Sequence, residues 1–238
     1  MIENIFLLIE LIGIVSFSIA GAIIAIDKET DLFGVVFLAV TTCFGGGIIR
    51  DITIGRHPPA LFGELLYQLY IVIAVAILVF IFVRVFRSQY VKRKNLILII
   101  NNYIDALALG IFSVAGVQTC IGFMGDRAGF VLCVVMGMTT AVGGGMIRDL
   151  ILRDIPFILR KRIYALAALI GAVVYYLFVR VFFPNSDVAA VIGQIVSVST
   201  VLVIRVLATV FKWNLPKAID FTEVQELEKE EVLSNIAK

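Results

Sequence analysis

Seven apolar runs, each about as long as a bilayer is thick, dominate this sequence. They lie at 5–26, 33–50, 64–85, 96–119, 128–148, 163–183 and 188–211. About twenty residues of helix cross the roughly 30 Å hydrocarbon layer, and backbone amides inside it must bond within their own segment. A chain of 238 residues that is 61% hydrophobic and 16% charged departs from the soluble average in both respects. The expectation is an all-α integral membrane protein of seven transmembrane helices. The opening "MIENIFLLIE" lacks a basic segment before its apolar run, so that run reads as a retained span.

Seven spans place the two ends of the chain on opposite faces. Arg84, Arg87, Lys92, Arg93 and Lys94 in one connector share a face with Arg148, Arg153, Arg160, Lys161 and Arg162 in another, and with Lys212 and Lys217. The other face holds Arg50, Arg56, Arg127 and Arg180. The positive-inside rule then puts the amino terminus outside and the carboxyl terminus in the cytoplasm of a plasma (inner) membrane protein. The tail 214–238 is charged and largely acidic. A net charge of +2 gives no footprint for nucleic acid, and the bilayer is the first partner expected. Cys43, Cys120 and Cys133 sit in or beside apolar runs without a CxxC, which favours small buried thiols over a disulfide or zinc. No metal or cofactor is expected. His57, the one histidine, lies in a loop without a nucleophile or ligand at useful spacing, which speaks against an enzyme.

The chain also repeats itself. "TTCFGGGIIRD" at 41–51 returns as "TTAVGGGMIRD" at 139–149, and "FSIAGAI" at 17–23 returns as "FSVAGVQ" at 112–118. Pro58 and Pro156 follow in the same order. Spans 1–3 (residues 1–95) and spans 4–6 (96–183) therefore read as copies, with a seventh helix at 184–213 standing alone. A three-span unit followed by its copy must insert the copy upside down, the inverted-repeat plan of many transporters. The same register sets Glu10 on Asp105, each seven residues before the Phe and eleven before the Gly of its FS(I/V)AG motif. Those spacings return to one helical face, and a carboxylate at that depth faces protein or water. Ser18 and Ser113 lie beside that stripe.

Reading direction along the spans brings Arg50 and Asp51 to the level of Glu10, and Arg148 and Asp149 to the level of Asp105. Ion pairs Glu10–Arg50 and Asp105–Arg148, one near each mouth, are predicted, with a gating role. The glycine triplets allow two readings. Gly45, Gly46, Gly47 and Gly143, Gly144, Gly145 could unwind their spans and turn carbonyls toward a path, or they could let helices pack closely. Twofold occurrence beside a membrane-level Arg-Asp favours the first, with Ser18 and Ser113 on the same path. Tyr67, Tyr70, Tyr90, Tyr164 and Trp213 read as interfacial anchors, Arg205 as a snorkelling side chain, and Gln194, Ser197 and Ser199 as packing polar groups.

Doubled GGGxxRD, doubled FS(I/V)AG and the three-plus-three-plus-one span count resemble the prokaryotic TRIC (trimeric intracellular cation) channels and the related bacterial glycine-transporter domain proteins. The resemblance covers about residues 5–211. It implies a homotrimer with a pore in each protomer, bounded by spans 1, 2, 4 and 5 and kinked at the glycines. It implies a monovalent cation such as K⁺ as permeant species, or a small zwitterionic amino acid such as glycine. Span 4 contains no lysine, so the lysine-linked gating of animal relatives is not carried over.

Overall fold

The fold was obtained as a computed structural model, which describes residues 2–160, 163–184 and 186–213; the predicted tail at 214–238 lies outside them. Seven helices among the described residues are long and apolar enough to cross a membrane. They are α1 (Ile2–Asp27), α2 (Leu32–Ile54), α3 (Leu66–Val85), α5 (Lys94–Met124), α6 (Phe130–Ile151), α8 (Tyr164–Leu177) continued by a π-helical turn at Phe178–Phe182, and α9 (Asp187–Val210). Two short helices complete the set, α4 (Arg87–Lys92) and α7 (Phe157–Arg160). The chain is a multi-pass membrane protein. The apolar runs anticipate each span, but α2 and α6 run on through the Arg-Asp pairs and α5 extends well past residue 119.

The glycine triplets do not break their helices. Both lie inside continuous α-helix, against the sequence expectation of an unwound span. In hydrocarbon an amide released from the helix has no water to replace its partner, so the ladder holds even where glycine weakens it. What the glycines do is remove side chains from the α2–α6 crossing. A Cβ on Gly46 would fall onto the Thr140 carbonyl oxygen, and one on Gly144 onto that of Thr42. Moving four residues along α2, from Thr42 to Gly46, moves the contact back four along α6, from Gly144 to Thr140. The two helices are therefore antiparallel and related by a local two-fold axis.

The second repeated motif locks into the first. A Cβ on Gly21 would lie 2.7 Å from Thr42 Oγ1, and Gly116 faces Thr140 Oγ1 in the same manner. The threonine hydroxyls donate back to their own helices, at Leu38 O (2.6 Å) and Met136 O (2.7 Å). Each half thus contributes a chain of close contacts, Gly21–Thr42–Gly144 and Gly116–Thr140–Gly46, which meet at the centre. Phe17 and Phe112, also repeat mates, stack there with ring centroids 4.9 Å apart.

Ion pairs mark which loops share a face. Lys28–Asp154 (2.6 Å) and Lys94–Asp27 (2.5 Å) gather the end of α1, the start of α5 and the loop after α6. On the other face, where α1 begins, Arg180 donates to the Gly125 carbonyl (3.0 Å). We call these the basic face and the amino-terminal face.

Candidate functional site

Polar cavities enter from both faces. From the amino-terminal side a cavity of about 60 Å³ runs between α1, α2, α3 and α5; Glu10, Gly47, Arg50, Asp51 and Gln68 form its polar wall. It shares Arg56 and Thr119 with a wider vestibule of about 340 Å³ that also holds Glu64. From the basic face a cavity of about 230 Å³ is lined by Asp27, Lys28, Asn101, Asn102, Asp105 and Asp149, among others. Phe112 forms part of the first cavity's wall. Glu10 and Asp105 each lie two helical turns before their stacked phenylalanine, on opposing helices, so the aromatic pair lies between the two acid levels.

The Arg-Asp pairs are built alike in both halves. Arg50 Nε and Nη2 donate to Asp51 Oδ1 at 2.9 and 2.8 Å, and Asp51 Oδ2 accepts the Ala60 amide at 2.9 Å. Arg148 Nε donates to Asp149 Oδ1 at 2.9 Å, its Nη2 lies 2.8 Å from that oxygen, and Asp149 Oδ2 accepts the Phe157 amide at 2.9 Å. All four side chains are buried. Each aspartate neutralises its neighbour and pins the re-entering loop beneath its own helix. This corrects the predicted Glu10–Arg50 and Asp105–Arg148 ion pairs: the arginines bond the adjacent aspartates instead. Adjacent residues do not share a helical face, which is why spacing pointed across to the other helix. A long guanidinium at the last turn folds back where a straight ridge argument does not follow it. Glu10 and Arg50 still share one cavity, and the charge of Arg148 still acts on Asp105.

The remaining predicted residues separate into cavity and packing positions. Gly47 lines the amino-terminal cavity, and a Cβ there would sit 3.7 Å from Arg50 Nη2, ordinary contact. Gly145 stands likewise 3.6 Å from Arg148 Nη2. Gly45, Gly46, Gly143 and Gly144 face the opposing helix across the crossing. Ser18 Oγ donates to Val72 O (3.0 Å), Ser113 Oγ to Gly110 O (2.8 Å), and neither lines either cavity.

Two residues read otherwise in the sequence belong to the basic-face half. Arg205 does not snorkel: it is 1% exposed, donates through Nη2 to Asn102 Oδ1 at 2.9 Å, and lies over the Tyr164 ring at 4.8 Å. Tyr164 is buried rather than an interfacial anchor, and interacts with Asp105. The signal for Arg205 was its spacing: Gln194, Ser197, Val201 and Arg205 fall at intervals of three or four on the buried face of α9. Asp105 is 3% exposed and neither of its oxygens has a hydrogen-bond partner, nor has Arg148 Nη1.

The duplication has a direct counterpart among known sequences. The Glycine transporter family matches this chain twice, over residues 7–84 and again over 102–180. The UPF0126 inner membrane protein YadS of Escherichia coli K12 is 32% identical over 207 residues, 87% of this chain and 92% of that protein. This chain belongs to the TRIC-channel and bacterial glycine-transporter family. A solved TRIC cation channel, studied for the basis of its conductance, is 33% identical with a TM-score of 0.72, covering 90% of this chain and 97% of its own. The trimeric intracellular cation channel orthologue from Rhodobacter sphaeroides is 30% identical with a TM-score of 0.73, over 88% of this chain and all of the other. With these relatives the fold is that of a membrane cation channel or transporter.

Proposed function

We propose that this protein is a cation-permeable channel for monovalent ions such as K⁺, with a path inside each protomer of a homotrimer. The observation that carries the reading is the pair of polar cavities on either side of one aromatic stack, each with an embedded carboxylate, Glu10 or Asp105, at equivalent depth. Carboxylates at membrane depth are expensive unless a solute or water passes them. The Arg-Asp pairs remove the objection that arginines would repel a cation, because each is neutralised by its neighbour. On this reading the path runs between α1, α2, α5 and α6, Phe17 and Phe112 are its central barrier, and the conformation described is closed. Residues 1–95 and 96–183 act as the two inverted units, with 184–213 as an added helix. The likeness to channels described as trimeric supports the homotrimer. The density of lysine and arginine on the basic face supports placing that face in the cytoplasm and the amino-terminal face outside, and YadS is named an inner membrane protein.

A second reading, a carrier for a small zwitterion such as glycine, is favoured by one observation. The Asp105 oxygens and Arg148 Nη1, which make no hydrogen bond, are buried in the same half, an acceptor for an ammonium and a donor for a carboxylate. Purified protein in liposomes separates the two. The channel reading expects K⁺ current proportional to driving force; labelled glycine uptake that saturates, without K⁺ current, would replace it with the carrier.

A further inference from the structure

The two-fold relation covers α1–α3 and α5–α8 but not α9, so anything α9 adds to the path is present in one half only. What it adds is a charge. Arg205 passes between α5 and α8 to Asn102, one helical turn from Asp105, and its guanidinium rests on the Tyr164 ring. Asn102 and Asp105 line the same cavity, and the charges of Arg148 and Arg205 both act on Asp105. Asn102 is itself held by its Nδ2 donating to Thr209 Oγ1 (3.3 Å), so both ends of this bridge are anchored on α9.

At the equivalent depth of the other half, Arg50 shares the cavity of Glu10 but is bonded to Asp51, and among the described residues no cation there corresponds to Arg205. The residue that acts on Glu10 as Tyr164 acts on Asp105 is the neutral, buried Gln68. Among the described residues, the amino-terminal cavity and vestibule hold Glu10, Asp51 and Glu64 against Arg50 and Arg56, an excess of one negative charge. Among the described residues, the basic-face cavity and the groups bonded to its wall hold Asp27, Asp105, Asp149 and Asp154 against Lys28, Lys94, Arg148 and Arg205, which balance. The last of these cations is the one that only α9 supplies.

We infer that Arg205 is the specificity-determining residue of the basic-face half: a tethered counter-cation that cancels Asp105 and leaves Glu10 as the uncompensated carboxylate among the described residues of the path. It rests on the cation reading above for its consequence, though not for its electrostatics. A mobile cation would then dwell in the amino-terminal half and cross the basic-face half without a site of its own, so that conduction differs with direction.

The test has one arm that needs conduction and one that does not. With Cys43, Cys120 and Cys133 replaced, Leu98→Cys places a single thiol in the wall of the basic-face cavity. Its rates of modification by trimethylammonium-ethyl and sulfonatoethyl methanethiosulfonate report the local potential on protein in detergent. Arg205→Gln is expected to raise the cationic-to-anionic rate ratio about tenfold, as expected for removing a nearby, partly screened unit charge. Arg205→Lys should leave the ratio near the parent value, and Asp105→Asn combined with Arg205→Gln should return it there. A merely structural arginine predicts no such restoration. In bilayers, Arg205→Gln should reduce the inequality of K⁺ current at opposite voltages and shift the reversal potential in a KCl gradient toward that of K⁺. A rate ratio that stays within about twofold of the parent in Arg205→Gln overturns the inference. Absence of K⁺ current in the parent protein overturns the channel reading instead, and leaves the thiol measurement to decide the electrostatics.

Discussion

The two halves of this protein are the same construction in opposite orientation, and they differ most where a carboxylate meets its surroundings. The Gly-Thr contacts, the Arg-Asp pairs with their loop amides, and the stacked phenylalanines recur across the two-fold axis. Glu10 interacts with Gln68 and feels the charge of Arg50, while Asp105 interacts with Tyr164 and feels the charges of Arg148 and Arg205. Duplication therefore preserves what holds the helices together, and the seventh helix is where the symmetry is given up. On the channel reading, a path made from two equal halves serves both directions alike, and one added cation makes them unequal.

The sharpest way to break the comparison is at the crossing. Gly46→Ala and Gly144→Ala each drive a methyl into backbone rather than into a yielding side chain. Each should cost about 3 kcal/mol or more, at the upper end of overpacking penalties, and by similar amounts. Thermal unfolding of the purified protein in detergent measures both; a large effect in one and none in the other would end the two-fold description. Asp51→Asn and Asp149→Asn come next. Each strands a buried arginine, a loss of about 3–5 kcal/mol, again expected to be matched between the halves.

Phe17→Ala and Phe112→Ala should each raise K⁺ flux into liposomes several-fold by opening the barrier between the cavities, whichever half carries the change. Unequal behaviour is expected instead of Glu10→Gln and Asp105→Asn. The first should lower K⁺ over Cl⁻ selectivity severalfold in reversal-potential measurements. The second should change it less, because Asp105 is already offset by α9. The smallest effects belong to Gly47→Ala and Gly145→Ala, where a methyl meets only side-chain ends at ordinary distance, an arginine at each and the Tyr164 hydroxyl as well at Gly145. Both should stay within about 0.5 kcal/mol of the parent in the same unfolding assay.

The sequence carries the coarse plan because two of its rules are one-dimensional. Span length follows from bilayer thickness, and the inverted orientation follows from an odd number of spans per repeat, so the seven helices and the duplicated unit are readable without coordinates. The acids Glu10 and Asp105 are readable for the same reason: the repeat register marks them and their depth places them in the cavities. What is not readable is which neighbour a long side chain chooses. Arg50 and Arg148 turn back to the next residue, Arg205 turns inward although a snorkelling path was open by sequence, and Tyr164 lies inside although it begins a span. The glycines are the instructive error. A triplet that would unravel a helix in water stays helical in hydrocarbon, and its meaning lies on the partner helix, 98 residues away in sequence.

At the centre of the molecule two backbones bear on each other with no side chains between them. Such a contact has little padding to absorb a displacement, so α2 and α6 are tightly coupled where they cross. If the path opens as proposed, the crossing is the fulcrum on which α2 and α6 turn as levers.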